Sequence, residues 1–95
     1  MLSTVIALRG ILADFIENGI VSPNYLTING PVNGHTRVTF QYLSTSWIWK
    51  ISDRFKVATQ VNAVPGTDDK SVFSTELAYG KVHVYAYTII DRDKD

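Results

Sequence analysis

Hydrophobic and polar residues alternate with two different periods along this chain, and the first of them is the period of a helix. Between residues 3 and 18 the apolar positions recur every three or four residues, which is typical of one face of an amphipathic helix. This face consists of Met1, Val5, Leu8, Leu12 and Phe15, with Ile11 and Ile16 beside it. Ser3 or Thr4 can cap the first turn, and Asn18-Gly19 is a typical helix end. The pattern therefore predicts a single helix over residues 3–18.

The second period begins after Gly19, where apolar and polar residues alternate one by one, as they do in half-buried strands. We predict strands near residues 24–29, 36–43, 46–52, 54–64, 71–79 and 81–90, where residues 46–64 form either two strands or one bent strand. The stretch "NGPVNG" at residues 29–34 contains two Asn-Gly pairs, which are a strong short-range signal of a hairpin. The loop "PGTDDK" at residues 65–70 and a turn at Gly80 separate the later strands.

Alternation also assigns side chains to the two faces of the predicted sheet. Within residues 46–52, Trp47 and Trp49 fall on the face opposite to Lys50, so both tryptophans are predicted to lie on the apolar face. The strand at residues 81–90 is apolar on both faces, which indicates a central strand or one that is covered twice. The predicted core consists of Val5, Leu8, Leu12, Phe15, Ile16, Val38, Phe40, Trp49, Val57, Val61, Leu77, Val82 and Val84.

The fold class that follows is α+β, with one N-terminal helix packed on a twisted, mostly antiparallel sheet of five or six strands. A helix is about 10 Å wide and neighbouring strands are about 4.8 Å apart, so one helix covers about two strands. The rest of the apolar face needs another cover, because large exposed apolar patches are unusual in a monomer. Either the sheet curls into a barrel or sandwich, or a second subunit lies against it.

Composition limits the class of protein more than it limits the activity. The 95 residues, 45% hydrophobic and 12% aromatic, suit one globular domain over residues 1–90 with a charged tail at residues 91–95. Arg9 and Asp14 interrupt the apolar start, which argues against a signal peptide and against a transmembrane segment, so we expect a cytoplasmic protein. A helix followed by a short-turned meander, without cysteine or catalytic motif, is typical of small bacteriophage proteins. By that analogy the chain would be a virion component or an inhibitor of a host enzyme.

Residues for catalysis or metal binding are sparse. His35, His83 and Lys81 could form an acid, a base and a phosphate-binding cation, as in a ribonuclease. The alternative is that His35 lies in a turn and His83 alternates with tyrosines on a sheet face. No nucleophile, phosphate-loop or dinucleotide motif accompanies them. The loop pair Asp68-Asp69 lacks the further carboxylates of a calcium loop. We therefore expect a protein that is not an enzyme and has neither a cofactor nor a metal.

Aromatic and basic residues favour a binding function. We predict an interface anchored by aromatic side chains and rimmed by cations: Trp47, Tyr85 and Tyr87 as anchors, with Lys50, Arg54 and Lys56 at the rim. Tyrosine and tryptophan are common at interfaces because an apolar ring is joined to a polar edge. The partner would be a second copy of the chain, in a homo-oligomer, or a larger protein.

The alternative is a module that binds single-stranded nucleic acid. Lys81, His83, Tyr85 and Tyr87 share one side of a predicted strand, so they could stack bases and contact the backbone. The formal net charge is zero, whereas proteins that neutralise phosphates usually carry a positive excess. Nucleic acid is therefore the second hypothesis.

Overall fold

The computed structural model describes residues 2–32 and 34–91, which form two helices and five strands. In chain order these are α1 (Leu2–Glu17), β1 (Tyr25–Val32), β2 (His35–Gln41), α2 (Thr45–Phe55), β3 (Thr59–Ala63), β4 (Lys70–Tyr79) and β5 (Val82–Asp91). The strands form one sheet in the order β1-β2-β5-β4-β3, and within it only β2 and β5 run parallel. The α+β class with a mostly antiparallel sheet is thus confirmed.

The hairpin between β1 and β2 forms where the two Asn-Gly pairs predicted one. Val32 pairs with His35, and Gly34 between them has a φ of 80°, a conformation that glycine adopts without steric cost. The first Asn-Gly pair has a different role. The register shifts between Asn29 and Val32, and Gly30 there has a φ of 111°, so this pair forms a bulge near the end of the hairpin.

Residues 45–55 form a helix, and the predicted strand over residues 46–52 is therefore wrong. Ser44 caps this helix, because its hydroxyl accepts a hydrogen bond from the backbone N–H of Ser46 at 3.3 Å. Ile48 and Ile51 are fully buried and lie three residues apart, which is a helical spacing. The short apolar run fits both periods, and packing of both isoleucines into one core selects the helix.

The helix also separates the two tryptophans. Side chains two residues apart on a helix point about 200° away from each other, so Trp47 and Trp49 cannot share a face. Trp47 is partly buried against the core, whereas Trp49 is 56% exposed and touches Phe73 with a ring-centroid distance of 5.0 Å. The predicted burial of Trp49 is wrong for this reason. The predicted strand at residues 54–64 shortens to β3 because α2 occupies its first residues.

The second helix provides most of the cover that one helix could not. Two helices span about 20 Å, against about 24 Å for five strands, so neither a closed barrel nor a second subunit is needed for most of the sheet. The buried core draws on both helices and on three strands, together with residues 20 and 42: Ile11, Phe15, Ile20, Val38, Phe40, Tyr42, Ile48, Ile51, Phe73, Leu77, Val82, Val84 and Ala86. Leu8, Leu12 and Val57 pack partly against it, while Val5, Ile16 and Val61 are exposed, contrary to the prediction.

Two further features complete the fold. Tyr42 is buried beyond the end of β2, where its hydroxyl donates to the carbonyl oxygen of Val21 at 2.9 Å. Burial raises the pKa of this hydroxyl, because the charged form would lose its hydration. The second feature is the end of β5, where Asp91 pairs with Lys70 in the sheet and forms an ion pair with it. Asp91 therefore belongs to the strand and not to a free tail. Residues 92–95 of the predicted tail lie outside the described residues.

Candidate functional site

One side of the sheet carries both helices, and we call the other side the open face. In β5, Val84 and Ala86 are buried in the helix-covered core, so the alternate residues His83, Tyr85, Tyr87 and Ile89 point to the open face. The register places Arg37 beside His83 on β2 and Glu76 opposite Tyr85 on β4. No helix in the described part of the chain lies on this face, and its centre is the middle strand of five.

Two tyrosines form the centre of the open face. The rings of Tyr85 and Tyr87 are stacked, with centroids 5.6 Å apart and planes inclined by 27°. The guanidinium of Arg37 lies over the ring of Tyr85 at 4.8 Å from its centroid, and the hydroxyl of Tyr87 donates to Oε1 of Gln41 at 3.1 Å. Neighbours on β2 therefore hold both rings in one orientation, which makes them an ordered aromatic platform on a rigid strand.

Charges on the open face balance each other. Arg37 lies 3.5 Å from Glu76, with both side chains more than half exposed, and Lys70 pairs with Asp91 at the opposite end of the same face. Exposed pairs of this kind contribute little to stability, since solvent screens them. Their consequence here is electrostatic: the cation over Tyr85 has a carboxylate beside it, and the surface has no marked positive field.

The two histidines meet at one end of the open face. The rings of His35 and His83 contact each other edge to face, with centroids 5.4 Å apart. Together with Arg37, Glu76 and Tyr85 they line a shallow depression of about 640 Å³. Lys81 lies in the turn that precedes β5 and is exposed. The structure thus brings together the two histidines of the ribonuclease-like hypothesis, and Lys81 lies two residues before His83 in sequence.

The predicted interface residues do not form one surface. Tyr85 and Tyr87 lie on the open face, whereas Trp47, Lys50, Arg54 and Lys56 belong to α2 and its C-terminal cap, on the helix-covered side. A single flat partner could not contact both groups, because the sheet lies between them. Of the residues predicted to bind nucleic acid, His83, Tyr85 and Tyr87 do lie together on the open face.

The basic residues of α2 have local contacts. Nζ of Lys50 lies over the ring of Trp47 at 5.1 Å, a contact between positions three apart on the helix, whereas a strand would have separated them. Arg54 binds Asp14 of α1 through two hydrogen bonds, of 3.1 Å and 2.7 Å. This pair ties the two helices together. Lys56 adopts a left-handed conformation at the helix end, and its side chain is almost fully exposed.

Arg37, Gln41 and Glu76 are the residues that sequence reasoning missed. Each lies on a polar position of its strand, and nothing in the chain marks it as special. Arg37 and Gln41 contact the tyrosines from β2, and Glu76 contacts Arg37 from β4. The contacts of Arg37 depend on β2 and β5 being neighbours, which the hydrophobic pattern does not specify.

The described ranges contain neither a cluster of three or more metal ligands nor a helix that could span a membrane. Residues 2–32 and 34–91 contain no group of three or more His, Asp or Glu side chains placed to hold a metal ion. Neither described helix is long and apolar enough to cross a membrane. Comparison with known proteins finds no family model, no curated protein and no solved structure that matches the chain significantly.

Proposed function

We propose that this protein is a non-catalytic binding module whose open face docks onto another protein. One observation carries the proposal: an ordered pair of tyrosines, Tyr85 and Tyr87, is presented at the centre of a sheet face that no described helix covers. Tyrosine and arginine are enriched among the residues that dominate binding energy at protein interfaces. Arg37 over Tyr85 supplies both residue types at one point.

The rest of the open face supports a protein as the partner. Around the tyrosines the strands present uncharged polar side chains, namely Thr27, Asn29, Thr39, Gln41, Gln60 and Asn62. Tyrosines among Thr and Asn resemble the composition of antibody binding surfaces, where rigid rings give contact area and small polar groups give adaptable hydrogen bonds. Five strands of about eight residues outline roughly 600 Å², somewhat below the roughly 800 Å² per partner of a standard interface.

The mechanism would be surface complementarity without chemistry. Because the rings of Tyr85 and Tyr87 are already ordered, a partner would bind them with little loss of side-chain entropy. Arg37 and Glu76 would contribute at the rim by selecting a partner with matching charges. Such a module would suit a virion subunit or an inhibitor of a host enzyme, the two roles suggested by its small size and simple composition.

The test is a binding measurement with matched variants on the two sides of the sheet. Proteins captured from an extract of the source organism would be identified, purified and titrated against wild type, Tyr85→Ala, Tyr87→Ala and, as a control, Lys50→Ala on α2. We expect each tyrosine variant to weaken binding at least tenfold while its melting temperature stays within a few degrees of wild type. Lys50→Ala should bind as wild type does. Binding that is lost in Lys50→Ala but kept in both tyrosine variants would refute the proposal.

A second candidate is single-stranded nucleic acid, favoured by the same stacked rings with a cation over one of them. Glu76 argues against it, because its carboxylate lies 3.5 Å from Arg37 and would repel phosphates. Fluorescence anisotropy with labelled oligonucleotides at increasing salt distinguishes the two candidates. A nucleic-acid function requires affinity at low salt that falls in Tyr85→Ala and rises in Glu76→Gln. Absence of binding at low salt removes this candidate.

A further inference from the structure

The two histidines are diagonal neighbours on two central strands, and only the folded sheet brings them together. β2 and β5 run parallel with Arg37 beside His83, so His35, two residues before Arg37, lies one step away from His83 on the open face. The two rings are in contact, with centroids 5.4 Å apart and planes inclined by 80°. They are the two histidines of a chain that contains no cysteine. Any imidazole chemistry of this chain therefore belongs to this pair.

The backbone beneath the two histidines is fixed, whereas their rings can turn. β2 and β5 are interior strands, each paired on both sides. The N–H of Thr36 donates to the carbonyl oxygen of Lys81 at 3.2 Å, and His35 pairs with Val32 across the hairpin. The side chains of His35 and His83 are exposed, so each ring can rotate about its Cβ–Cγ bond. This rotation leaves the ring centre nearly unmoved, because the bond axis passes close to it. Rigid strands thus hold two adjustable ligands at a set separation.

The separation of the rings suits a single metal ion bound by both. A Zn–N bond is about 2.0–2.1 Å long and the centre of an imidazole lies about 1.1 Å behind its nitrogen, so zinc lies about 3.2 Å from each ring centre. Two ring centres 5.4 Å apart then subtend about 115° at the metal, close to the tetrahedral angle of about 109°. An angle of about 90°, as in square-planar copper or nickel sites, would require about 4.5 Å. The spacing therefore favours zinc.

We propose that His35 and His83 form a binding site for one Zn²⁺ ion per chain, with water in the remaining positions. Neutral imidazole is a common zinc ligand, and zinc sites that keep an open position bind water there. The described residues contain no group of three or more candidate ligands, so the site differs from a structural zinc site, which has four protein ligands. The expectation of no metal came from the sparse ligands along the sequence, where the two histidines are more than forty residues apart.

Charges around the histidines limit the affinity of the site. Arg37 beside His83 lies 3.5 Å from the carboxylate of Glu76, so its positive charge is partly compensated. Lys81 is exposed in the turn that precedes β5, and its ammonium group would repel a metal cation nearby. A structural zinc site with four ligands binds far more tightly than two ligands can. We therefore expect a dissociation constant on the order of 10 μM near neutral pH.

Isothermal titration calorimetry with Zn²⁺, on protein without a histidine tag, tests the site. Wild type should bind one ion per chain, and both His35→Ala and His83→Ala should bind at least tenfold more weakly, because each variant retains one imidazole. Both positions are exposed, so circular dichroism should report an unchanged fold. The matched control is Lys81→Gln, which should bind Zn²⁺ at least as tightly as wild type does. Mg²⁺, which prefers oxygen ligands, should give no heat that either histidine substitution removes.

Thermal melting gives a second measurement, because only the folded chain brings the two ligands together. Zn²⁺ at about 100 times its dissociation constant should raise the wild-type melting temperature by at least about 5 °C, and should raise that of neither histidine variant by as much. Single variants that bind as tightly as wild type would show that the histidines act independently, and would overturn the proposal. One ion per two chains, with a zinc-dependent doubling of mass in light scattering, would overturn it as well. The site does not rest on protein docking, so Tyr87→Ala should bind Zn²⁺ as wild type does.

Discussion

Replacing Ile48 by alanine tests the packing of α2 most directly. Ile48 is fully buried between α2 and the sheet, whereas an alternating strand would have placed it outside beside Lys50. The substitution removes about three methylene-sized groups at about 0.8 kcal/mol each and leaves a cavity. We expect it to lower the free energy of unfolding by about 2–4 kcal/mol. For a domain of this size that corresponds to a fall in melting temperature of roughly 10–25 °C.

Trp49→Ala is the matched comparison, one residue away. Trp49 is more than half exposed, and its main contact is the tilted ring pair with Phe73. Such a pair is worth about 0.5–1.5 kcal/mol beyond area burial, and the better helix propensity of alanine offsets part of the loss. We expect a cost of about 1–2 kcal/mol, which is smaller than that of Ile48→Ala although tryptophan is the larger side chain.

The assay is urea unfolding followed by far-ultraviolet circular dichroism, because fluorescence would change when a tryptophan is removed. The order of the two costs decides the result. In a strand, Trp49→Ala would cost about 3–5 kcal/mol and Ile48→Ala less than about 1 kcal/mol. If Trp49→Ala proves more destabilising than Ile48→Ala, α2 does not pack as described.

Three further variants test the interior of α1, the end of α2 and the buried tyrosine. Because the pKa of Tyr42 is raised in the folded state, folding favours the neutral hydroxyl. The contribution of Tyr42 to the free energy of unfolding is complete below about pH 10, and above that pH it falls by up to about 1.4 kcal/mol per pH unit. Tyr42→Phe should cost about 1 kcal/mol at neutral pH, and urea titrations should show a shallower alkaline loss than in wild type. Gly10→Ala should stabilise α1 by about 0.5–1 kcal/mol through helix propensity, but the added Cβ would lie 3.0 Å from the hydroxyl of Tyr79. Thermal melting should therefore show the full rise in melting temperature only when Gly10→Ala is combined with Tyr79→Phe, which removes that hydroxyl. Lys56→Gly should raise the melting temperature, because Lys56 has a φ of 57° and glycine relieves about 1 kcal/mol of strain there; a lower melting temperature would contradict this.

Sequence pattern and structure agree best where the pattern allows one solution. On α1, Leu8, Ile11 and Phe15 follow helical spacing over about two turns, which no strand can satisfy. The hairpin follows from turn chemistry at Gly34, and the central position of β5 follows from its two apolar faces. The run at residues 46–52 was misassigned because it is short and its apolar residues fit both periods.

The candidate site was predictable in part. That Tyr85 and Tyr87 share a face follows from their spacing of two in a strand. Their neighbour Arg37 was not predictable, because the parallel pairing of β2 with β5 joins segments more than forty residues apart. Nor could alternation reveal that Lys50 lies over Trp47, since that contact exists only in a helix.

Local information in the chain was sufficient for the fold class, for α1, for the β1–β2 hairpin and for the common face of the two tyrosines. These depend on turn chemistry and on periods that act within a few residues. Long-range packing was needed for α2, for the strand order and for the division of aromatic and basic residues between two sides of the sheet. The physical reason is that a short apolar run such as residues 47–51 gains similar burial as a helix or as a strand. The choice depends on which form fills the space left by distant elements, here the uncovered half of a five-stranded sheet.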